Sequence, residues 1–221
     1  MSEGNHHGHS HGHDGGHGHD HGDAALASRS PRYRRILWAA LIINFAMFGI
    51  EIGAGLSSGS VSLLADAIDF FGDAANYGLT LLVLTMSAGR RAAAALIKAA
   101  SMLGFGLVVG GRTLWSLMQG ITPEPLTMGA VGALALVANV AVAGMLYAYR
   151  NGDANMRSVW LCSRNDALGN LAVMGAALGV LGTRSGWPDL LVAGVMAALA
   201  ITSGWSVLRQ ARAELARRDG Q

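Results

Sequence analysis

Asp66, Asp69 and Asp73 stand at i, i+3 and i+7 in the stretch Ser60-Val-Ser-Leu-Leu-Ala-Asp66-Ala-Ile-Asp69-Phe-Phe-Gly-Asp73-Ala-Ala-Asn76. On an α-helix that spacing puts all three carboxylates on one face, about one turn apart. Their surroundings are apolar from about Val61 to Met86, long enough to cross a bilayer. A charge at bilayer depth costs at least ~2.5–3.5 kcal/mol, so a stack of three implies a site with protein or water around it. The plainer alternative is a set of carboxylates that cap or pair with neighbouring helices. Farther along, Cys162 and Asp166 repeat the four-residue spacing of Asp69 and Asp73. Residues four apart face the same neighbour, so two such pairs packed face to face deliver four donors to one point. Oxygen and sulfur donors in that number suit a tetrahedral zinc-like ion. Thiolate softness favours Zn2+ or Cd2+, with Co2+ next, over Mg2+ and Ca2+. The competing role for Cys162 is that of a small buried apolar residue, which free cysteine commonly is.

The elements that must hold these residues are membrane helices. The chain has 221 residues, of which 52% are hydrophobic and only 14% charged, with 31 Gly and one Cys. Roughly a quarter of a soluble domain is charged, so low charge with abundant Gly predicts an all-α polytopic membrane protein. The single Cys excludes an internal disulfide framework. The net charge of +2 comes from Arg-rich segments flanking apolar runs. That pattern fits membrane topology, and no aromatic-interleaved basic patch speaks for nucleic acid.

Six spans are expected: about 36–56, 61–86, 92–118, 128–149, 158–181 and 189–208. Ser57-Ser-Gly-Ser60, Ser87-Ala-Gly-Arg-Arg91, Thr122-Pro-Glu-Pro125, Asn151-Gly-Asp-Ala-Asn155 and Gly182-Thr-Arg-Ser-Gly-Trp-Pro188 separate them. Both termini then lie on one side. Lys and Arg gather in the N-terminal tail, the Arg90–Arg91 and Arg150–Arg157 loops and the C-terminal tail, and the opposite loops offer Arg184. The positive-inside rule therefore places both termini in the cytoplasm. The expected organisation is a disordered tail over 1–28, a six-helix transport domain over 29–210 and a short basic tail over 211–221, in a bacterial inner membrane.

The first tail holds all eight histidines: His6, His7, His9, His11, His13, His17, His19 and His21. Neutral imidazoles on a flexible Gly-rich backbone chelate borderline divalent ions without a folded cage. Metal capture is the reading, against a passive solubilising tail or an expression tag. The segment lacks the apolar core of a signal peptide. Within the spans, Asn44 and Glu51 share a face, Asn139 interrupts the fourth, and Asn170 follows Asp166 by one turn. These four and Asp66 are assigned to the entry path or to the surroundings of the ion, against plain helix-packing hydrogen bonds. Asp66 has the further alternative of capping a neighbouring helix. Lys98 and Arg112 sit near the ends of the third span, where long stems reach the interface. Arg164 is offset by about 200° from Asp166 and is expected to face away. Asp189 is expected to cap the start of the sixth helix. The Trp and Met residues are assigned to packing and lipid.

The chain resembles the cation diffusion facilitator family of divalent-metal/proton antiporters over about residues 34–210. The residues that carry the resemblance are Asn44 and Glu51 before Gly55, then Ser-Gly-Ser60-Val-Ser-Leu-Leu-Ala-Asp66-Ala-x-Asp69-x-x-x-Asp73. Beyond these come Asn139, Asp166-Ala-Leu-Gly-Asn170, and Trp187-Pro-Asp189 leading to Ser203-Gly-Trp205. The resemblance implies that the positions of Asp69, Asp73, Cys162 and Asp166 form the transport site. The family usually has His or Asp where Cys162 stands, so sulfur coordination is an inference from this sequence. Members commonly carry a cytoplasmic C-terminal domain that binds metal and dimerises, and here only a short Arg-rich tail follows Leu208. Homodimer formation is therefore an open expectation. The implied activity is export of Zn2+, Cd2+ or Co2+ from the cytoplasm in exchange for protons, with the ion as cargo and no catalytic cofactor. An intramembrane hydrolase is disfavoured, because neither a His-Glu-x-x-His run nor a Gly-x-Ser-x-Gly elbow occurs. A membrane-anchored metal receptor or buffer acting through the His-rich tail is the remaining alternative; deleting residues 1–28 would abolish its phenotype and leave most of a transporter's flux.

Overall fold

The computed structural model of the chain describes residues 30–82, 88–149 and 154–219; the side chains of 88–92, 95, 154–159, 161, 162, 210, 211 and 213–219 are outside that description. The His-rich tract lies outside the described residues. Among the described residues six helices follow one another: α1 (Pro31–Ser58), α2 (Val61–Leu82), α3 (Ala88–Gln119), α4 (Pro125–Leu146), α5 (Ala154–Thr183) and α6 (Trp187–Asp219). A single 3-10 turn, Tyr147–Tyr149, follows α4. The chain is an all-α polytopic membrane protein. Among the described residues, four stretches are long and apolar enough to cross a bilayer: Pro31–Ser58, Pro125–Tyr149, Ser163–Thr183 and Trp187–Arg209. The α2 helix is set apart by its three carboxylates and by its position inside the bundle, since all but one of the residues from Val61 to Phe70 are buried.

Local chemistry sets the helix ends. The Ser30 hydroxyl accepts from the Tyr33 amide at 3.1 Å with Pro31 in the first turn, a start signal for α1. Gly59, at φ 75°, takes the left-handed conformation that stops α1 and lets α2 begin two residues later. Glu124 caps α4, its carboxyl accepting from the Leu126 amide at 2.9 Å and the Thr127 amide at 2.6 Å. Bonds from the Thr127 hydroxyl and from those two amides hold the Glu124 carboxyl below its ordinary range.

The helices pair as α1 with α2, α4 with α5, and α3 with α6; α2 also touches α3, α5 and α6. The turns before α2, α4 and α6 gather at one end. The Glu124 amide donates to the Ser58 carbonyl at 2.9 Å, and Gly186 lies so close to the Ile121 carbonyl that a side chain there would collide. Lipid tails are as apolar as leucine, so packing in a bilayer relies on close approach of small residues. The interior follows that rule: Ala40, Ala135, Ala176, Ala193 and Ala197 are buried, while Ile42, Phe45, Leu107, Leu178 and Leu199 point outward.

The structure corrects one expected cap. Asp189 lies in the first turn of α6, yet its carboxyl caps α2. It accepts from the Ser60 hydroxyl at 2.8 Å, the Val61 amide at 2.8 Å and the Ser62 amide at 3.0 Å. The unpaired amides at the start of α2 are buried against α6, where water cannot satisfy them, so an acid from the neighbouring helix does.

Candidate functional site

One side of α2 borders a cavity of about 750 Å³ between α2, α3, α5 and α6. Asp69, Asp73 and Asp166 line it together with Asn76, Lys98 and Asn165. Its wall is otherwise apolar, with Met102, Leu191, Val195 and Met196 among the contributors. The Asp73 side chain is buried, and Asp69 and Asp166 are half-buried. Because α2 and α5 run antiparallel, Asp166 comes opposite Asp73, within hydrogen-bonding reach, and also feels the charge of Asp69. The i, i+4 spacing of Asp69 and Asp73 does the rest, aiming both at the same neighbour.

A hydroxyl chain that the sequence reading did not single out fixes this arrangement. Tyr77, fully buried one turn after Asp73, donates its phenolic proton to Asp73 Oδ2 at 2.8 Å. The Tyr77 phenol oxygen also lies 2.6 Å from Ser163 Oγ on α5. The phenol has one proton and gives it to Asp73, so Ser163 is the donor in the second bond. The chain Ser163–Tyr77–Asp73 thus ties α5 to α2 and orients one carboxylate from behind. Its signal in the sequence was the Asp73–Tyr77 spacing of four.

Among the described residues, no three His, Cys, Asp or Glu side chains converge as a closed metal shell. The three acids instead face shared open space, and the side chain of Cys162 lies outside the described ones. Arg164 faces away as expected: it is exposed, donates to Asn165 Oδ1 at 3.1 Å, and holds its guanidinium 5.4 Å from the Trp160 ring centre.

Lys98 lines the cavity, and its ammonium donates to Asn76 Oδ1. Asn44, Glu51, Asp66, Asn139 and Asn170 do not line this cavity. All five are at most 2% exposed. Asn44 spends its amide nitrogen on the Ala40 carbonyl of its own helix at 2.8 Å.

The chain resembles known zinc transporters over most of its own length. The zinc transporter ZitB of Pectobacterium atrosepticum is 26% identical over 201 residues, covering 85% of this chain and 62% of that protein. The zinc transporter ZitB of Escherichia coli is 30% identical over 188 residues, covering 78% of this chain and 53% of its own length. The chain thus spans little more than half the length of these relatives. Residues 37–216, nearly all of the helical bundle, match the cation efflux transmembrane domain, and the chain therefore belongs to the cation efflux, or cation diffusion facilitator, family.

Proposed function

We propose that the chain is a secondary transporter that moves a divalent zinc-like ion, Zn2+ with Cd2+ and Co2+ as further substrates, out of the cytoplasm in exchange for protons. It works in a bacterial inner membrane with both termini on the cytoplasmic side. Asp69, Asp73 and Asp166 are the carboxylate ligands, and Cys162, one turn from Asp166, is the fourth. The observation that carries this reading is the presence of three acids from two antiparallel helices on one cavity inside an apolar bundle. Acids at that depth are costly and mark ion pathways.

The exchange follows from ligand chemistry. A carboxyl or thiol must shed its proton before it binds metal, so protons and the ion compete for the same atoms. Metal arriving from the cytoplasm displaces protons, and protons from the opposite side displace metal. The Tyr77 hydroxyl holds Asp73 in place in both conditions, so only the occupant changes. Zinc uptake into proteoliposomes under a pH gradient tests the assignment. Asp69→Ala and Asp166→Ala are each expected to abolish it, and an unchanged rate in either removes the site.

A further inference from the structure

The cavity has two unlike walls. Its acids and amides, Asp69, Asp73, Asn76, Asn165 and Asp166, stand on α2 and α5. The α6 wall is apolar apart from Ser203, and Met196, Leu199, Ala200, Ser203 and Val207 fall on one face of that helix. An ion needs little of this space. Filling 750 Å³ with water would take about 25 molecules at ~30 Å³ each. Water against an apolar wall lacks the polar partners that hold it there.

The cavity is also open sideways. Leu168 on α5 and Leu199 on α6 both line it, yet they are 63% and 61% exposed, so the cavity is continuous with the outer surface of the bundle. At the loop-cluster end α5 and α6 pack tightly, since a Cβ at Gly179 would stand 2.9 Å from Pro188 Cβ. Because the α6 wall lies within Trp187–Arg209, a stretch long and apolar enough to cross a bilayer, what meets the opening is hydrocarbon. Its length fits one leaflet. Met196 to Val207 is eleven residues of helix, ~17 Å at 1.5 Å each, against ~15 Å for half of a ~30 Å hydrocarbon core.

We propose that one acyl chain of a bilayer phospholipid, from the leaflet on the side of the two chain termini, seats in this opening along the α6 wall against Met196, Ala200 and Val207. The tail takes the apolar half of the cavity, and the acids on α2 and α5 keep the other half for ion and water. The seat stands independently of the transport reading. Its role rests on that reading: the tail closes the α5–α6 side, so that protons and metal reach Asp69, Asp73 and Asp166 lengthwise between the helices.

The test is photolabelling of the full-length chain in nanodiscs of phosphatidylcholine that carries a diazirine midway along one acyl chain, with labelled residues mapped by peptide mass spectrometry. Met196 and Ala200 are 8% and 4% exposed and so are shielded from lipid that merely surrounds the protein, whereas Val137 on α4 is 65% exposed and reports that lipid. Label on Met196 and Ala200 at a yield comparable with Val137 is expected. Label on Val137 and the rim residue Leu199, with none on Met196 and Ala200, is ordinary surrounding lipid and overturns the proposal. Label on Val137 with none on any of the three α6 residues puts a second copy or another protein over the opening and overturns it as well. Ala200→Trp, which fills the seat, is expected to lower the Met196 label severalfold with Val137 unchanged, and an undiminished Met196 label overturns the position assigned to the tail. Should that variant aggregate, Leu199→Trp narrows the opening from its exposed rim and carries the same two outcomes. Labelling needs no zinc, so the expected map alongside failed zinc uptake upholds the seat and refutes the transport reading alone.

Discussion

Asp189→Ala is expected to be the most damaging single change outside the cavity. The carboxyl accepts three bonds, at 2.8, 2.8 and 3.0 Å, from groups at the start of α2. Asp189 is 1% exposed and Ser60 0%. Hydrogen bonds to a charged group contribute ~1.5–3 kcal/mol each when removed singly, and loss of a helix cap costs ~0.5–2 kcal/mol. The three bonds share one acceptor and are not additive. Truncation also opens space through which water reaches the nearby turns and repairs part of the loss. A net destabilisation of ~3 kcal/mol is therefore expected for Asp189→Ala. Asp189→Asn, which keeps one acceptor oxygen, should lose about half of that, and Ser60→Ala, which removes one bond, ~1 kcal/mol.

The assay is reversible unfolding in mixed micelles, followed by helical circular dichroism as the denaturing detergent fraction rises. A double-mutant cycle between Ser60→Ala and Asp189→Ala isolates the hydroxyl–carboxyl bond, with an expected coupling of ~1 kcal/mol. The reasoning is refuted if Asp189→Ala unfolds within ~0.5 kcal/mol of the parent. Additivity of the two changes would refute the Ser60 bond specifically. Because α2 carries Asp66, Asp69 and Asp73, slack at its first turn should also reach the cavity. Zinc transport in Asp189→Asn is expected to fall while the folded fraction stays high.

Three further perturbations test the site. Tyr77→Phe removes the proton given to Asp73 and the acceptor used by Ser163, both buried, for ~1–3 kcal/mol; the KM for zinc in proteoliposomes should rise about tenfold with less change in maximal rate, and an unchanged KM would show that the phenol does not position Asp73. Lys98→Gln removes a positive charge from a cavity that a cation must enter. A screened repulsion of ~1 kcal/mol corresponds to about fivefold tighter zinc binding, and weaker or equal binding, measured by titration calorimetry, would contradict it. Gly204→Val tests the α3–α6 pairing, because a Cβ at 204 would already stand 3.0 Å from Leu103 Cγ and 3.3 Å from the Leu103 amide nitrogen. Overpacking of this kind costs ~1–3 kcal/mol, and an unfolding midpoint equal to the parent's would mean that the two helices slide apart freely.

How much of this was legible beforehand depended on whether the information was local. Six apolar runs gave six helices because hydropathy and turn residues act over a few positions, and the Asp66–Asp69–Asp73 ladder could be placed on one face from spacing alone. The partners of that ladder were another matter. Asp69 and Asp73 meet a cavity with Asp166, whereas Asp66, only one turn away, is turned toward Glu51; three residues of helix rotate a side chain by about 300°, enough to change its neighbour. Periodicity says that a face exists and nothing about which helix covers it. Asp189 shows the same gap more sharply. Its position two residues into a helix is where a carboxyl stabilises the amides of its own first turn, and the sequence offers no reason to look elsewhere. The reason is tertiary: the α1–α2 turn is buried against α6, and its amides take the acid that α6 presents.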